Sequence, residues 1–428
     1  MDDEPRGGET GDVLVSSEGP GPSRGGGGAV WLAVAVLVYV LLVGVGLIGD
    51  GFKWISGGAE GAERIFAFAS NPLVGVILGT LATALVQSSS TVTSVIVGLV
   101  AGGVPVSVAV PMILGANMGT TITNTIVSLG SLKDGPAFRR SFQAATVHDF
   151  FNLYSILIFL PLEVLLHPLE RAAGALARIL GGGADASVGG LNLVGALTKP
   201  AVASVVGAFE RLPSPLGATA AIVAGLTLIF VSVVFLGRLL RGVLIGRARK
   251  LVDHAIGRGP FSGVASGTVI TMLVQSSSTT TSLVVPLAGA GVLTLRQVFP
   301  FVMGANIGTC ITALLAATGI DGPYRLLALQ VALVQLLFNV FGVLLFLLVP
   351  WLKDLPIRSA EWLGDRSAVH RSWALGYVLT VFFVLPGGVL GVQSLAGNRE
   401  PTVVEAESHE RELHAAEEAV EHSEMAIE

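Results

Sequence analysis

Cysteine is all but missing: Cys310 is the only one, so neither an intrachain disulfide nor a cysteine-based metal centre can be built. It reads as a small helix-packing residue. Charge is also scarce, at 13% of residues against 52% hydrophobic, and a chain so composed cannot hide its apolar surface in one water-soluble core. The net charge is only -5, with the acids gathered mostly in the two tails, which removes any nucleic-acid footprint. No basic n-region precedes the first apolar run, so residues 1–28 read as a disordered tail, not a cleaved signal. The bilayer is the solvent this composition demands.

Apolar runs at 29–49, 141–166, 217–240, 324–350 and 373–392 are each long enough to cross about 30 Å of hydrocarbon. Between them the chain repeats itself. Residues 71–100 read NPLVGVILGTLATALVQSSSTVTSVIVGLV, and residues 259–288 read GPFSGVASGTVITMLVQSSSTTTSLVVPLA. LGANMGTTIT, ending at Thr123, is answered by MGANIGTCIT, ending at Thr312, and Phe151-Asn152 by Phe338-Asn339. Three matches in one order mark an internal duplication.

The expected fold class is an all-α polytopic membrane protein of two inverted repeats, each with a re-entrant hairpin and a broken transmembrane helix. Arms 71–86 and 88–101 are too short to span comfortably and flank a polar word, which fits a hairpin with its tip at mid-membrane. Interrupted hydrophobic segments at corresponding places in two halves point to a transporter's binding site.

The expected organisation is a tail at 1–28, a first span and amphipathic segment at 29–70, and repeat 1 at 71–166. An amphipathic segment and outer loop follow at 167–216, then a linking span and basic cytoplasmic loop at 217–258. Repeat 2 occupies 259–350, a loop and last span 351–398, and an acidic tail 399–428. Basic clusters at Arg241, Arg247, Arg249 and Lys250 and at Lys133, Arg139 and Arg140 set these segments inside. The N-terminus is then inside, 181–215 and the acidic tail outside, and the two hairpins open in opposite directions.

Ser88, Ser89, Ser90 and Thr91, with Ser276, Ser277 and Ser278, stand where a helix would begin after each tip. Serine is a natural N-cap there, and the helix N-terminus and hydroxyls together suit a tetrahedral oxyanion. Gln87, Gln275, Asn117 and Asn306 offer carbonyl oxygens; Thr120, Thr123, Thr309 and Thr312 offer hydroxyls. Such neutral oxygens suit a small hard monovalent cation. Gly115, Gly119, Gly304 and Gly308 are expected to permit an unwound turn. No Lys or Arg falls in the hairpin arms, so an anion held there needs dipoles, hydroxyls and co-bound cations to offset its charge. Asp149, inside a span, is a functional residue by default and is read as a sodium ligand; His148 reads as a hydrogen-bonded packing residue.

The paired VQSSST words, GANMGTTITNTIVSL, RRSFQAATVHDFFNLYSILIFLPLE, LTKPAVASVV, RSAEWLGD and HRSWALGYVL together resemble the type II sodium-dependent phosphate cotransporter family, over about 30–394. The resemblance implies electrogenic, sodium-coupled symport of inorganic phosphate into the cell by alternating access, with phosphate at the hairpin tips. It implies a sodium site at Gln275, Ser276, Thr309 and Thr312, and a further one at Asp149. Gln143 stands where electrogenic members carry alanine. The expected partners are phosphate, sodium and the lipid bilayer of the plasma or inner membrane, with a homodimer as a further candidate and no nucleic acid. No cofactor is expected; sodium is co-transported substrate. A sodium-coupled carrier of another small anion such as a dicarboxylate is the alternative. An embedded phosphohydrolase, the enzyme reading, lacks a His or Cys cluster near His148.

Overall fold

The computed structural model describes residues 27–181, 189–213, 215–255 and 258–397. All regular structure among them is helical. The first part runs α1 (Gly27–Ser56), α2 (Ala59–Phe66), α3 (Pro72–Val86), α4 (Ser89–Ala101), α5 (Val106–Gly119), α6 (Ile122–Ser128), α7 (Gly135–Leu166) and α8 (Pro168–Gly181). It continues with α9 (Gly189–Phe209), α10 (Leu216–Ala255), α11 (Pro260–Val274), α12 (Ser277–Gly289), α13 (Leu295–Thr318) and α14 (Arg325–Leu348). The last are α15 (Pro350–Val369), α16 (Ser372–Leu379) and α17 (Leu385–Gly397). The acidic C-terminal tail and all but the last two residues of the expected N-terminal tail lie outside the described residues.

Seven described segments are long and apolar enough to cross a membrane. Five coincide with the runs visible in the sequence. The other two, Val106–Ser131 and Leu295–Thr318, carry the GAN words and are the most enclosed, with 89% and 78% of their apolar windows buried in protein. Polar residues are tolerated in them because helices, not lipid, surround them. The chain is a multi-pass membrane protein.

The duplication reappears as packing. Helix α3 lies along α5, and α11 lies along α13, on matching seams of glycine. A Cβ added at Gly79 would clash with the Met112 carbonyl oxygen, and one at Gly115 with that of Val76; at Gly267 and Gly304 the clashes would be with Phe301 and Val264. All four obstacles are backbone, so only glycine lets these helices approach so closely.

This corrects one expectation. In repeat 2 the glycines of GANIGT do not unwind a turn, since α13 runs unbroken through 304–309; in repeat 1 the helix is interrupted after GANMG, where α5 ends at Gly119 and α6 resumes at Ile122. Thr120 and Thr121 between α5 and α6 keep nearly helical backbone angles.

Three segments read as loops are also helical. Helix α9 fills most of 181–215 and packs Val202 against Val43 and Leu47, and Lys199 pairs with Asp321 at 2.6 Å beyond α13. The Lys199 ammonium holds the Asp321 carboxyl below its ordinary range. Helix α10 carries the basic stretch 238–255, though the side chains of Arg241, Arg247, Arg249 and Lys250 are outside the described set. Helix α15 is charged on one face and buries Leu352, Ile357, Ala360 and Leu363 on the other, against α7. Arg139 pairs with Asp365 there, and Tyr154 meets Ser359 at 2.7 Å.

Candidate functional site

Each pair, α3–α4 and α11–α12, is joined through a two-residue apex. Gln87 ends α3 in the left-handed region at φ 58°, and Gln275 ends α11 at φ 54°; both are positions where a non-glycine residue is uncommon. The next residue turns extended and caps the second helix. Ser88 Oγ accepts from Thr91 N at 3.2 Å, and Ser276 Oγ from Thr279 N at 3.2 Å. Two occurrences of one word thus adopt one geometry.

Both apices line the same cavity, of about 250 Å³. Ser88, Ser89, Ser90, Ser276, Ser277 and Ser278 face it with Gln87, Gln275, Thr123 and Thr279, and Val233, Val234 and Gly237 of α10 close one side. Helices α4 and α12 begin here, so two N-terminal dipole ends, each worth about half a unit charge, converge on it. Among the described residues, no charged side chain lines the cavity. Thr91, which the sequence grouped with the serines, bonds Ser88 through its hydroxyl at 2.9 Å and is not among the lining residues.

Beside each apex an oxygen pair forms. Thr123 donates to Gln87 Oε1 at 2.8 Å, and Thr312 donates to Gln275 Oε1 at 2.9 Å. The glutamine Nε2 atoms are turned back onto Ala84 O and Met272 O, which leaves the carbonyl oxygens facing the threonines. Thr120 and Thr309 instead bond carbonyls of their own helices, Ala116 O at 3.2 Å and Ala305 O at 3.0 Å. The four residues expected to share a sodium ion therefore come together only in part: Gln275 with Thr312 directly, Ser276 next along the chain, and Thr309 one turn back on α13.

Asn117 and Asn306 do not line the cavity. They belong to a buried hydrogen-bond chain joining the repeats. Thr281 on α12 donates to Asn124 Oδ1 at 2.7 Å, and the Asn124 amide meets His148 Nδ1 at 3.4 Å. His148 Nε2 meets Asn306 Oδ1 at 2.7 Å, Asn306 Nδ2 donates to Asn152 Oδ1 at 2.8 Å, and Asn152 Nδ2 donates to Asn117 O at 3.0 Å. Because Asn306 spends its Nδ2 on Asn152, its oxygen faces His148. The histidine proton is thereby assigned to Nε2, and Nδ1 accepts from Asn124. His148 is fully buried, as its reading as a hydrogen-bonded packing residue requires.

Asp149, on the same turn of α7, is likewise fully buried. Tyr377 of α16 donates to its Oδ2 at 2.9 Å and Thr125 reaches the same atom at 3.4 Å, while Oδ1 has no hydrogen-bond partner among the described residues. No basic side chain pairs with it among the described residues. Gln143, one turn and a half earlier, is turned away to Asp365 at 2.9 Å. Sequence reasoning missed Asn124, Thr281 and Tyr377. Asn124 and Thr281 stand in the words already singled out, but nothing in the sequence brings Tyr377, from outside both repeats, to the carboxylate.

The family described as Na+/Pi-cotransporter matches residues 40–181 and 228–354. Sodium-dependent phosphate transport protein 2A of Ovis aries is 34% identical over 433 residues, covering 85% of this chain and 67% of its own length. Protein 2B of Homo sapiens is 31% identical over 454 residues, covering 85% and 65%, and protein 2A of Rattus norvegicus is 32% identical over 429 residues, covering 84% and 67%. This chain spans about two thirds of the length of these curated relatives. No solved structure matches it. With the family's pattern running through both repeats and the full-length relatives similar across most of the chain, the chain belongs to the Na+/Pi-cotransporter family.

Proposed function

We propose that the chain couples the movement of inorganic phosphate to that of sodium ions across the cell membrane, with phosphate held between the two hairpin apices. The observation that carries this reading is the convergence of two QSSST apices, each opening a helix, on one cavity that no charged side chain among the described residues lines. Donors and positive helix ends recognise an oxyanion there. They do not neutralise it, so bound sodium completes the charge balance and the two cargoes travel together.

Sodium is assigned to the oxygen pair Gln275–Thr312 with Ser276 and Thr309, and to its counterpart Gln87–Thr123 with Thr120. Asp149 adds a carboxylate to these ligands, and its Oδ1 has no hydrogen-bond partner among the described residues, which suits a further ion. With that ion the sodium charge carried exceeds that of divalent phosphate, and turnover moves net positive charge inward. Asn117 and Asn306, buried away from the cavity, support the apices and do not touch phosphate. The repeats are read as inverted, rocking about the His148–Asn306 joint to expose the cavity to either side in turn.

The test is uptake of radiolabelled phosphate into proteoliposomes under an inward sodium gradient, with potassium and choline gradients as controls. Uptake is expected with sodium alone, and unlabelled phosphate, but not succinate, should compete. Equal uptake in choline overturns the reading.

A further inference from the structure

A second, apolar cavity lies outside both repeats, on the lipid-facing side of the last span. It measures about 480 Å³ and is walled by Trp362 and Leu363 of α15 and by Trp373, Gly376, Tyr377 and Val381. Only 11% of the apolar window of Ser372–Val392 is buried in protein, so the bilayer surrounds this wall. Its rim is aromatic and basic. Trp362 and Trp373 meet edge to face at 5.6 Å, and the Arg366 guanidinium lies over both rings, 5.5 Å and 5.7 Å from their centroids. Both tryptophans remain substantially exposed, at 51% and 41%. Arg366 has no ion-pair or hydrogen-bond partner among the described residues, whereas neighbouring Asp365 is taken by Arg139 and Gln143.

We propose that this cavity is a phospholipid site specific for an anionic headgroup, with the lipid phosphate on Arg366 and an acyl chain inside. Tryptophan pairs mark the membrane–water boundary, the depth of a phosphate group. A guanidinium held by cation–π contact still has its N–H donors to give, in the fork that matches two phosphate oxygens. Beside it the cavity offers mostly apolar walls, with Ser372 and Thr380 as the hydroxyl-bearing members and no acid among the lining residues. An anionic headgroup is selected over a zwitterionic one because the unpaired Arg366 charge meets no second cation on the lipid. Tyr377 gives the site a consequence. Its ring forms a wall of the cavity, and its hydroxyl holds Asp149 Oδ2, so a chain packed on one side of that ring steadies the carboxylate on the other.

The test uses the full chain with Trp31→Phe, Trp54→Phe and Trp351→Phe, so that only Trp362 and Trp373 fluoresce. It is reconstituted in phosphatidylcholine containing brominated-chain phosphatidylglycerol or brominated-chain phosphatidylcholine. Half-quenching is expected at a roughly fivefold lower mole fraction of the anionic lipid, the effect of one basic side chain at an anionic surface. Arg366→Gln should bring the two curves together. Gly376→Leu should weaken quenching by both lipids, because nothing lies within 4 Å of a Cβ there and the new side chain enters the cavity. Coincident curves in the parent, a preference that survives Arg366→Gln, or quenching unchanged by Gly376→Leu overturns the proposal. None of these readouts depends on transport.

Discussion

The two repeats share a framework and differ in what they place on it. Both keep the glycine seam, the left-handed glutamine, the serine cap and the threonine–glutamine oxygen pair. Only the spanning helix of repeat 1 carries an acid at this place: His148 and Asp149 on α7 answer to Gln335 and Leu336 on α14, by the register of Phe151-Asn152 with Phe338-Asn339. Hydrogen-bond satisfaction differs too. Asn306 uses both amide atoms on His148 and Asn152, whereas among the described residues its counterpart Asn117 has an unpartnered Nδ2 and Gln335 has no partner for either amide atom. What duplication preserved is the part that builds an apex; what diverged is the part that sets charge and joins the halves.

The largest expected effect lies in the shared framework. Gly79→Val and Gly267→Val each drive a side chain into backbone that cannot step aside, so each should lose at least the roughly 1–3 kcal/mol typical of overpacking, and folded protein should fall sharply. Gly28→Val, with open space around it, should melt like wild type. Thermal unfolding in detergent separates these, and a tolerated Gly267→Val beside a damaging Gly79→Val would break the equivalence of the seams.

Next comes the asymmetric acid. Asp149→Gly should leave sodium-driven phosphate uptake in place and abolish the current that accompanies it, while Leu336→Gly, at the matching position, should leave the current intact. One charge crossing the full field is worth about 2.3 kcal/mol per 100 mV, so uptake by wild type should accelerate under an inside-negative potassium diffusion potential and uptake by the mutant should not. An undiminished charge-to-phosphate ratio in Asp149→Gly contradicts the assignment.

The apices are predicted to be equal partners. Ser88→Ala and Ser276→Ala each remove a cap and a donor to a charged group, about 1.5–3 kcal/mol, so uptake at equal protein should fall roughly tenfold to a hundredfold in either. A silent substitution at one apex would place the oxyanion on the other alone. The smallest effect should come from the asparagines. Asn306→Leu strands His148 Nε2 and Asn152 Oδ1, about 1–3 kcal/mol of unmet desolvation, whereas Asn117→Leu removes a side-chain Nδ2 that bonds nothing. Equal losses of thermal stability in the two would erase the contrast between the joined and unjoined halves.

Several readings of the sequence failed for one physical reason. A glycine in GANIGT looks the same whether it relaxes a turn or admits a neighbouring backbone, and only the presence of α11 against α13 decides for the second. Segment 351–369 looks like a charged loop because Lys353, Asp354, Arg358, Glu361 and Asp365 dominate it, yet Leu352, Ile357, Ala360 and Leu363 share the face that α7 covers. Asn117 and Asn306 carry the same carbonyl oxygens as Gln87 and Gln275. Their burial in the joint, not at the cavity, follows from helix rotation, which no local pattern records.

The sequence by itself determined the solvent, the duplication, the caps and the scarcity of charge at the apices. Each of these is a property of composition or of residues close in the chain, where local sterics and hydrogen bonding suffice. Tertiary structure alone decided that two apices nearly half the chain apart share one cavity, that α13 stays continuous where α5 pauses, and that Tyr377 reaches Asp149. Those outcomes depend on which helix faces lie against one another, and that is set by packing across the whole bundle, where a glycine seam or a buried asparagine acts only through the partner opposite it.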